Sequence, residues 1–272
     1  MELKEIEKSI IKKYRKQIWS RFIDAINEFK MIKENDKIAV CISGGKDSFL
    51  LAKCMQEIKR HGKITFELKF ICMNPGYSNK HLNKIIENAK KLDIELNIFN
   101  SDVFNISNIL DEKSPCYMCA RMRRGYLYSE AKKLGCNKIA LGHHFDDVIE
   151  TILLSIIYSG EMKTMMPKLH STNFEDMELI RPLYYIKESD IISWVNNADL
   201  DFINCACKFT EKSNLENNSK RKEMKELINH FRKINPYIET NIMKSASNVC
   251  LDTLIAYKKD NVKHSFLDEY GD

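Results

Sequence analysis

The chain lacks the features that would place it in a membrane or in a secretory pathway. No apolar run approaches the roughly 20 residues that a helix needs to cross a bilayer. The opening residues, MELKEIEKSI, have no apolar centre of the kind found in a secretory signal. Internal repeats and low-complexity tracts are also missing. Together these absences predict a cytoplasmic protein without a membrane partner.

The chain has no strong excess of either charge. Lys and Arg total 43 against 38 Asp and Glu, a formal net charge of +5. A mildly basic balance suits a polyanionic partner, but many proteins without such a partner share it. At 272 residues the chain is long enough to bury a sizeable core.

The cysteines do not suit a disulfide framework. There are nine of them, so they cannot all pair. Cytoplasmic thiols stay reduced, and some of these are therefore expected to be metal ligands or nucleophiles. Five lie in apolar or helical contexts and are predicted to be small buried residues. These five are Cys41, Cys54, Cys72, Cys136 and Cys250.

Apolar periodicity predicts strands that alternate with helices. Strands are predicted at 38–42, 65–73, 95–100 and 137–142, and helices at 3–33, 48–60, 81–94, 116–134, 149–156, 187–198, 219–233 and 236–243. No periodicity follows Tyr257. Such alternation implies parallel strands joined by right-handed crossovers, hence a doubly wound α/β fold with a mainly parallel sheet. Three parts are predicted: a helical extension over 1–33, an α/β core with the cysteine site over 34–210, and a helical segment with a tail over 211–272.

A glycine turn with the sequence SGGKDS separates the first predicted strand from the next helix. In this arrangement backbone N–H groups and a helix N-terminus face one anion. Gly44 and Gly45 allow close approach. Lys46 adds a positive charge, and Ser43 and Ser48 add hydroxyl donors. The spacing fits neither the P-loop nor the G-x-G-x-x-G pattern, so we expect a phosphate site of another kind.

The sequence SGGKDS directly after an apolar strand resembles the signature of the PP-loop ATP pyrophosphatases. Members of that family cleave ATP between the α and β phosphates, adenylate a substrate oxygen and release pyrophosphate. The resemblance implies the adenine nucleotide alpha-hydrolase fold, with ATP and Mg²⁺ as cofactors. It also implies catalytic roles for Lys46 and Asp47. The implied ATP-binding residues of the turn are Ser43, Gly44, Gly45, Lys46, Asp47 and Ser48.

A second stretch that resembles the family, LGHHFDDVIET, follows a predicted strand at the edge where open α/β sheets bind ligands. The resemblance implies that Gly142 and His143 contact ATP and that Asp146 is catalytic. It implies Asp147, together with Asp47, as a ligand of Mg²⁺. From the residues alone, Asp146 and Asp147 are equally well explained as first-turn acids favoured by the helix dipole.

Two pairs of cysteines remain, Cys116 with Cys119 and Cys205 with Cys207. Four thiolates would suit a closed zinc site, but the spacing is not that of a zinc finger. Three thiolates on an iron–sulfur cluster would leave one iron without a protein ligand. That open position could hold a small anion such as sulfide.

With these cysteines the chain resembles the tRNA 2-thiocytidine synthetases, the PP-loop branch that thiolates a cytidine of the tRNA anticodon loop. The stretches MIKENDKIAVCISGGKDS, CYMCARMRRGYLY, ALGHHFDDVIETILL and LIRPLYYIKESDI carry the resemblance. It implies a [4Fe–4S] cluster on Cys116, Cys119 and a later cysteine. The family pattern there is Pro-Cys-x-x-Cys, whereas this chain has C-x-C, so the third ligand is Cys207 or Cys205.

The implied partners are tRNA and a sulfur donor, such as a cysteine desulfurase or sulfide. Arg121, Arg123 and Arg124 follow the C-x-x-C pair on a predicted helix and are candidates for contacts with tRNA phosphates. An exposed basic face explains them equally well. Whether the protein forms a homodimer stays open.

Other functions also stay open. A tRNA lysidine synthetase would share the glycine turn without needing three thiols, and a thiouridine synthetase with zinc ribbons would need more C-x-x-C pairs. A sulfurtransferase for a small molecule fits the same residues. A zinc-containing RNA-binding protein without turnover is a further alternative, although it would not require the lysine and the acidic pairs.

Overall fold

The computed structural model describes residues 1–101, 115–203, 220–268 and 270, with the backbone alone for 115–120. The chain forms two compact units. Unit 1 comprises Met1–Val148 and Met165–Ser219, and unit 2 comprises Ile149–Thr164 and Lys220–Asp272. Within the described residues no helix is both long and apolar enough to cross a bilayer. The three predicted parts stay a prediction.

Unit 1 is built on a sheet of six strands in the order β3-β2-β1-β4-β6-β5. All neighbours pair in parallel except β5, which pairs antiparallel with β6 at one edge. The predicted mainly parallel, doubly wound sheet is confirmed. The strands are β1 (Lys37–Cys41), β2 (Glu67–Asn74), β3 (Leu96–Asn100), β4 (Lys138–Ala140), β5 (Lys168–His170) and β6 (Glu178–Ile180).

The order of the strands reverses at β1. The chain runs from β1 outward to β2 and β3, then returns to place β4 on the other side of β1. The carboxyl ends of β1 and β4 therefore flank the crevice in which such sheets bind ligands. Both predicted phosphate-site motifs follow these two strands. The central strands β1 and β4 are mostly buried, as parallel strands covered on both faces require.

Helices flank this sheet and lead into and out of its strands. Their hydrophobic residues form the buried core with β1, β2 and β4. The helices of this unit are α1 (Leu3–Ile11), α2 (Ser20–Glu28), α3 (Lys46–His61), α4 (Asn79–Lys91), α5 (Pro115–Lys133), the start of α6 (Phe145–Ser159), and α7 (Glu188–Ala198). Gly135, with φ +72°, follows α5 as the predicted C-terminal glycine.

The N-terminal segment is not the single helix predicted over 3–33. A π-helical stretch, Arg15–Trp19, separates α1 from α2. The buried side chains recur at every fourth residue, and in a straight α-helix such a stripe drifts by about 40° at each step. A π-helical turn holds more residues and takes up this drift. The stripe then stays buried along its whole length, at Ile6, Ile10, Tyr14, Ile18, Phe22 and Ile26.

Unit 2 contains the end of α6 followed by helices α8 (Lys220–Ile234) and α9 (Ile238–Ser245). Its last part is a hairpin of β7 (Ala256–Lys259) and β8 (Val262–Ser265), where the sequence showed no periodicity. Asp260 and Asn261, with φ +50° and +64°, form the two-residue turn. A turn of this kind favours Asn, Asp and Gly, so the Asp-Asn pair was a usable signal.

Four of the five cysteines predicted to be buried are buried, and Cys250 is exposed, so that part of the prediction is wrong. Cys250 lies in the loop before a short 3₁₀ turn of unit 2, where no core covers it. Burial raises the pKa of the Cys72 thiol to about 12 and raises the pKa of Cys41 and Cys54 also. These thiols are therefore held in the unreactive protonated form.

A buried ionic cluster closes the opposite, amino-terminal edge of the sheet. Lys138 is 1% exposed, and its ammonium lies 2.7 Å from Asp36 and 3.0 Å from Glu178. It also donates to the carbonyl of Met31. Burial by itself raises the pKa of Glu178, but Lys138 and Lys168 lower it more, so the net pKa falls below its usual value.

Lys138→Met is expected to lower the free energy of unfolding by about 3–5 kcal/mol, because it leaves the buried carboxylate of Asp36 without its cation and leaves Glu178 with Lys168 alone. Methionine keeps the aliphatic stem, so lost packing does not explain the change. Lys133→Met is the matched control, since Lys133 forms an exposed pair with Glu130 that is worth at most about 1 kcal/mol. Equal midpoints of urea unfolding for the two variants would contradict the assignment.

Candidate active site

Three helix N-termini meet at the carboxyl ends of β1 and β4. Helix α3 begins at Lys46, α6 at Phe145 and α7 at Glu188. The backbone N–H of Glu188 donates to Asp146 Oδ2 over 2.7 Å, and Lys46 Nζ donates to Glu188 Oε1 over 3.1 Å. The free N–H groups and the dipoles of helix N-termini favour anions. The arrangement therefore suits a polyphosphate.

The glycine turn is held by its own serines. Ser48 Oγ donates to the carbonyl of Gly45 and accepts from the backbone N–H of Ser43. Ser43 Oγ lies 3.3 Å from Ser48 Oγ. Ser43 Oγ also accepts a hydrogen bond from the backbone N–H of Gly45. In this structure both hydroxyls shape the turn.

Two glycines allow backbone segments to approach where no side chain would fit. Gly44 has φ +92°, and a Cβ there would lie 2.8 Å from Ile85 Cγ1. A Cβ on Gly142 would lie 3.1 Å from backbone atoms of Asp47 and Ser48. Gly142 therefore brings the loop after β4 against the first turn of α3, which joins the two predicted motifs into one site.

Gly44→Ala is expected to destabilise the fold by about 1–3 kcal/mol, because alanine disfavours positive φ and its methyl group meets Ile85. Gly125→Ala is the matched control. Gly125 lies within α5 with open space around it, so alanine there is expected to add up to about 1 kcal/mol of stability. Thermal unfolding of both variants measures the difference, and equal effects would contradict the strain assigned to Gly44.

Lys46 is held by carboxylates from two helices. Its ammonium lies 3.1 Å from Glu188 of α7 and 3.3 Å from Asp47 of α3. Burial alone lowers the pKa of Lys46, but Asp47 and Glu188 raise it more, so the net pKa lies above its usual value. The side chain is therefore a permanent positive charge at the mouth of the turn. Glu188 was not among the predicted site residues.

His144 lies among three carboxylates. It is 5% exposed, and its Nε2 lies 3.5 Å from Asp147 and 3.9 Å from Asp47. Its Nδ1 lies 3.8 Å from Asp146. Within the described residues, Asp47 Oδ1 and His144 Nδ1 are buried atoms without a hydrogen-bond partner. Burial raises the pKa of Asp47 above its usual value, although Lys46 and His144 oppose this. The cluster thus offers polar atoms that a ligand could satisfy.

His143, a predicted site residue, lies beside Arg181, which was not among the predicted site residues. Arg181 is 6% exposed, donates to His143 Nδ1 over 3.3 Å and also donates to the carbonyl of Met166. Burial lowers the pKa of Arg181 to about 10, and nearby Arg124 lowers it also. Arg181 lies in the stretch LIRPLYYIKESDI, which carries the family resemblance, so the sequence could have marked it as a candidate site residue.

The first cysteine pair lies at the same edge of the sheet. Positions 116 and 119 belong to the first turns of α5, which leads from the β3 side of the sheet into β4. A helix that leads into a parallel strand runs back from the carboxyl edge, so its start lies at that edge. Residues 115–120 are described by their backbone alone. In the described part of unit 1 and unit 2, no group of three or more His, Cys, Asp and Glu side chains has metal-binding geometry.

The second cysteine pair lies outside the described residues, but the chain that leads to it contacts the glycine turn. The N–H of Ile203 donates to the carbonyl of Gly44 over 3.4 Å. Phe202 stacks on Phe49 of α3, and the carbonyl of Asp201 accepts from Asn88 of α4. A cavity of about 210 Å³ opens beside Lys46 and Asp47, and Asp201, Phe202 and Ile203 form part of its wall.

The predicted arginines differ in their surroundings. Arg123 donates to the hydroxyl of Tyr77 and is half-buried. Arg121 and Arg124 are exposed and border a cleft of about 560 Å³ between α5 and the loop that follows β5. The opposite wall of the cleft is formed by residues 169–174, which include three small polar side chains.

Comparison with known proteins identifies the family of this site. A family model described as the PP-loop domain matches residues 15–231, most of the chain. The chain belongs to the PP-loop family. The motif after β1 and the motif after β4, which the structure joins through Gly142, both fall within the matched residues.

Similar PP-loop proteins carry one recurring name, tRNA-cytidine(32) 2-sulfurtransferase. The relative from Citrifermentans bemidjiense is 35% identical over 237 residues, which cover 86% of this chain and 90% of the relative. The relative from Coxiella burnetii is 33% identical over 273 residues, which cover 98% of this chain and 100% of the relative. This PP-loop chain therefore belongs to the family of these enzymes, as its motifs predicted.

A solved structure has the same fold. The U34-tRNA thiolase NcsA from Methanococcus maripaludis, solved with its [4Fe–4S] cluster, superposes with a TM-score of 0.66 at 23% identity. The superposition covers 84% of this chain and 76% of that protein. At this level of identity the likeness concerns the fold.

Proposed function

We propose that this protein catalyses ATP-dependent 2-thiolation of a cytidine in tRNA. The names of its relatives state tRNA-cytidine 2-sulfur transfer for them, and the PP-loop family supports the use of ATP. One observation carries the proposal: three helix N-termini and Lys46 meet at the glycine turn, next to the chain segment that leads to the late cysteines. This arrangement supports a polyphosphate site close to the segment that leads toward the late cysteines. A lysidine synthetase has no use for those thiols.

The first step proposed is adenylation of the base. The C2 carbonyl oxygen of the cytidine attacks the α-phosphorus of ATP, the bond from that phosphorus to the bridging oxygen breaks, and pyrophosphate leaves. Lys46 and the N–H groups of the turn bind the charge that builds on the leaving pyrophosphate. Ser43, Gly44, Gly45, Asp47 and Ser48 shape this turn, and Gly142 and His143 lie at its other side. Asp146 is proposed as a catalytic group that orients the reacting atoms.

The second step proposed replaces the activated oxygen with sulfur. A sulfide attacks C2, the bond from C2 to the adenylated oxygen breaks, and AMP leaves with that oxygen. The product is 2-thiocytidine. An anticodon-loop base is unpaired and can be splayed out toward the site, which base-paired nucleotides cannot do as easily.

Mg²⁺ is proposed as the cation that makes ATP binding favourable. Three carboxylates (Asp47, Asp146 and Asp147) lie within 4 Å of His144. The nearby Lys46 is already paired with Asp47 and Glu188, so negative side chains outnumber positive ones there. A polyanionic ligand needs an added cation there. Mg²⁺ binds through one or two carboxylates together with substrate phosphates. Asp47, whose Oδ1 lacks a hydrogen-bond partner, and Asp147 are the proposed ligands.

A [4Fe–4S] cluster is proposed on Cys116, Cys119 and either Cys207 or Cys205. When bound by three thiolates, such a cluster supplies one iron that is open to sulfide. Positions 116 and 119 lie at the start of α5, at the carboxyl edge of the sheet. Ile203, two residues before Cys205, contacts Gly44 at the same edge. Both segments thus fit a cluster near the glycine turn.

The tRNA is proposed to contact the cleft bordered by Arg121 and Arg124, because guanidinium groups recognise phosphates. Arg123 is a weaker candidate, since it is half-buried and donates to Tyr77. A sulfur donor, such as a cysteine desulfurase or sulfide, and a cytoplasmic location complete the proposal.

Reconstitution tests the function directly. Anaerobically purified protein is incubated with ATP, Mg²⁺, sulfide and unmodified tRNA, and the nucleosides are analysed by mass spectrometry. We expect 2-thiocytidine, formed together with AMP and pyrophosphate. If AMP and pyrophosphate form together with a different modified nucleoside, cytidine is not the base that is modified. A colourless, zinc-loaded protein without turnover would refute the proposal.

A further inference from the structure

Glu188 is the partner that ties Lys46 to the rest of the fold. The two residues are 142 positions apart, and their side chains meet at 3.1 Å. Both side chains are about three-quarters buried, with 26% and 22% exposed. The other partner of Lys46, Asp47, is its neighbour in the chain and moves with it. Glu188 is therefore the contact that fixes the position of the Lys46 ammonium relative to a second helix, α7.

The position of Glu188 is itself fixed. It is the first residue of α7, where the helix dipole favours a negative side chain. The residue before it, Lys187, provides no side-chain cap for this helix. Instead Asp146 Oδ2, from the first turn of α6, accepts the N–H of Glu188 over 2.7 Å. One residue thus connects the lysine of the glycine turn with the proposed catalytic aspartate.

We infer that Glu188 is a positioning residue that holds the Lys46 ammonium where the phosphates of ATP react. A lysine is a compact charge on a flexible stem, so its place in a site depends on its partners. Catalysis by a charged group depends on its placement in the transition state, and a small misplacement lowers the turnover rate steeply. Glu188 acts through Lys46 and need not touch the nucleotide. This inference rests on the proposed ATP chemistry.

A competing arrangement makes the opposite prediction. If the Glu188 carboxylate only occupied Lys46 until a phosphate displaced it, removing its charge would strengthen ATP binding and leave turnover unchanged. A positioning role instead lowers kcat and leaves KM for ATP nearly the same, because the lost interaction matters in the transition state. Whether the substitution changes kcat or KM for ATP therefore decides between the positioning role and the competing arrangement.

The test compares Glu188→Gln with Asp190→Asn. Asp190 lies in the same first turn of α7 with the same 22% side-chain exposure, but it pairs with Arg21 of α2. Pyrophosphate release is measured over a range of ATP concentrations with tRNA and Mg²⁺, and thermal unfolding is followed for both. Glu188→Gln is expected to lower kcat about ten- to a hundredfold, the range for loss of one charge-assisted contact. KM and the unfolding midpoint should stay close to those of the native chain, and Asp190→Asn should keep its kcat.

Three results would overturn the inference. A lower KM with unchanged kcat favours the competing arrangement. Equal losses in both variants, together with lowered unfolding midpoints, indicate that Glu188 only supports the fold. Native kcat in Glu188→Gln shows that Lys46 needs no such partner. If the unaltered protein releases no pyrophosphate, the proposed function fails, and this inference fails with it.

Discussion

Replacing Lys46 with alanine is expected to reduce pyrophosphate release by at least about 10²- to 10³-fold, the usual cost of removing one group that stabilises transition-state charge. Lys46 is the one cation of the glycine turn itself, and carboxylates surround it. Without it, the leaving pyrophosphate would face Asp47 and Glu188 with no side-chain cation from the turn. The measurement is the rate of pyrophosphate release with ATP, Mg²⁺ and tRNA.

Lys59→Ala is the control for that experiment. Lys59 lies on the last turn of the same helix, α3, and is exposed. The substitution makes the same change of charge about four helical turns away from the phosphates, so the rate should stay unchanged. Adenylation at the native rate by Lys46→Ala would show that ATP does not react at this turn.

Replacing Cys116 with alanine is expected to abolish thiolation while adenylation continues. A cluster held by three thiolates loses its attachment when one of them is removed, whereas the proposed ATP site lies on the glycine turn. The variant should therefore lose its brown colour and bound iron. It should still release pyrophosphate and form no 2-thiocytidine. Iron analysis, visible absorbance and nucleoside analysis measure the three effects.

Cys250→Ala is the matched control, because Cys250 is an exposed thiol of unit 2 that belongs to neither cysteine pair. It should keep its iron and its thiolation activity. Cys205→Ala and Cys207→Ala, measured in the same way, decide the third ligand: one should lose the cluster and the other keep it. Retention of iron and thiolation by Cys116→Ala would refute the proposed cluster site.

Patterns that are local in sequence were predicted well. The run SGGKDS after an apolar strand was sufficient to predict the glycine turn between β1 and α3 and the family, because a turn, a charge and a helix start are set by neighbouring residues. The alternation of strands and helices predicted the mainly parallel sheet for the same reason. The short strands β5 and β6 were missed. β4 is equally short, but it overlaps the apolar run IAL directly before the second motif, which marked it as a strand.

The break between α1 and α2 shows what periodicity misses. The apolar residues indicated a helix correctly, but the choice between one straight helix and a π-helical turn depends on which surface the stripe must follow. Tyr14, whose hydroxyl donates to the carbonyl of Ser193 in α7, lies just before that turn. The partner is 179 residues away, beyond the reach of any local pattern.

The composition of the phosphate turn, the acids after β4 and the spacing of the cysteines were determined by the sequence alone, because each depends on residues only a few positions apart. Only the tertiary structure decided that Glu188 meets Lys46, that Gly142 packs on α3, and that Ile203 contacts Gly44. These contacts join residues about 95 to 160 positions apart. They arise because parallel strands bring their carboxyl ends, and the helices that begin there, to one edge of the sheet.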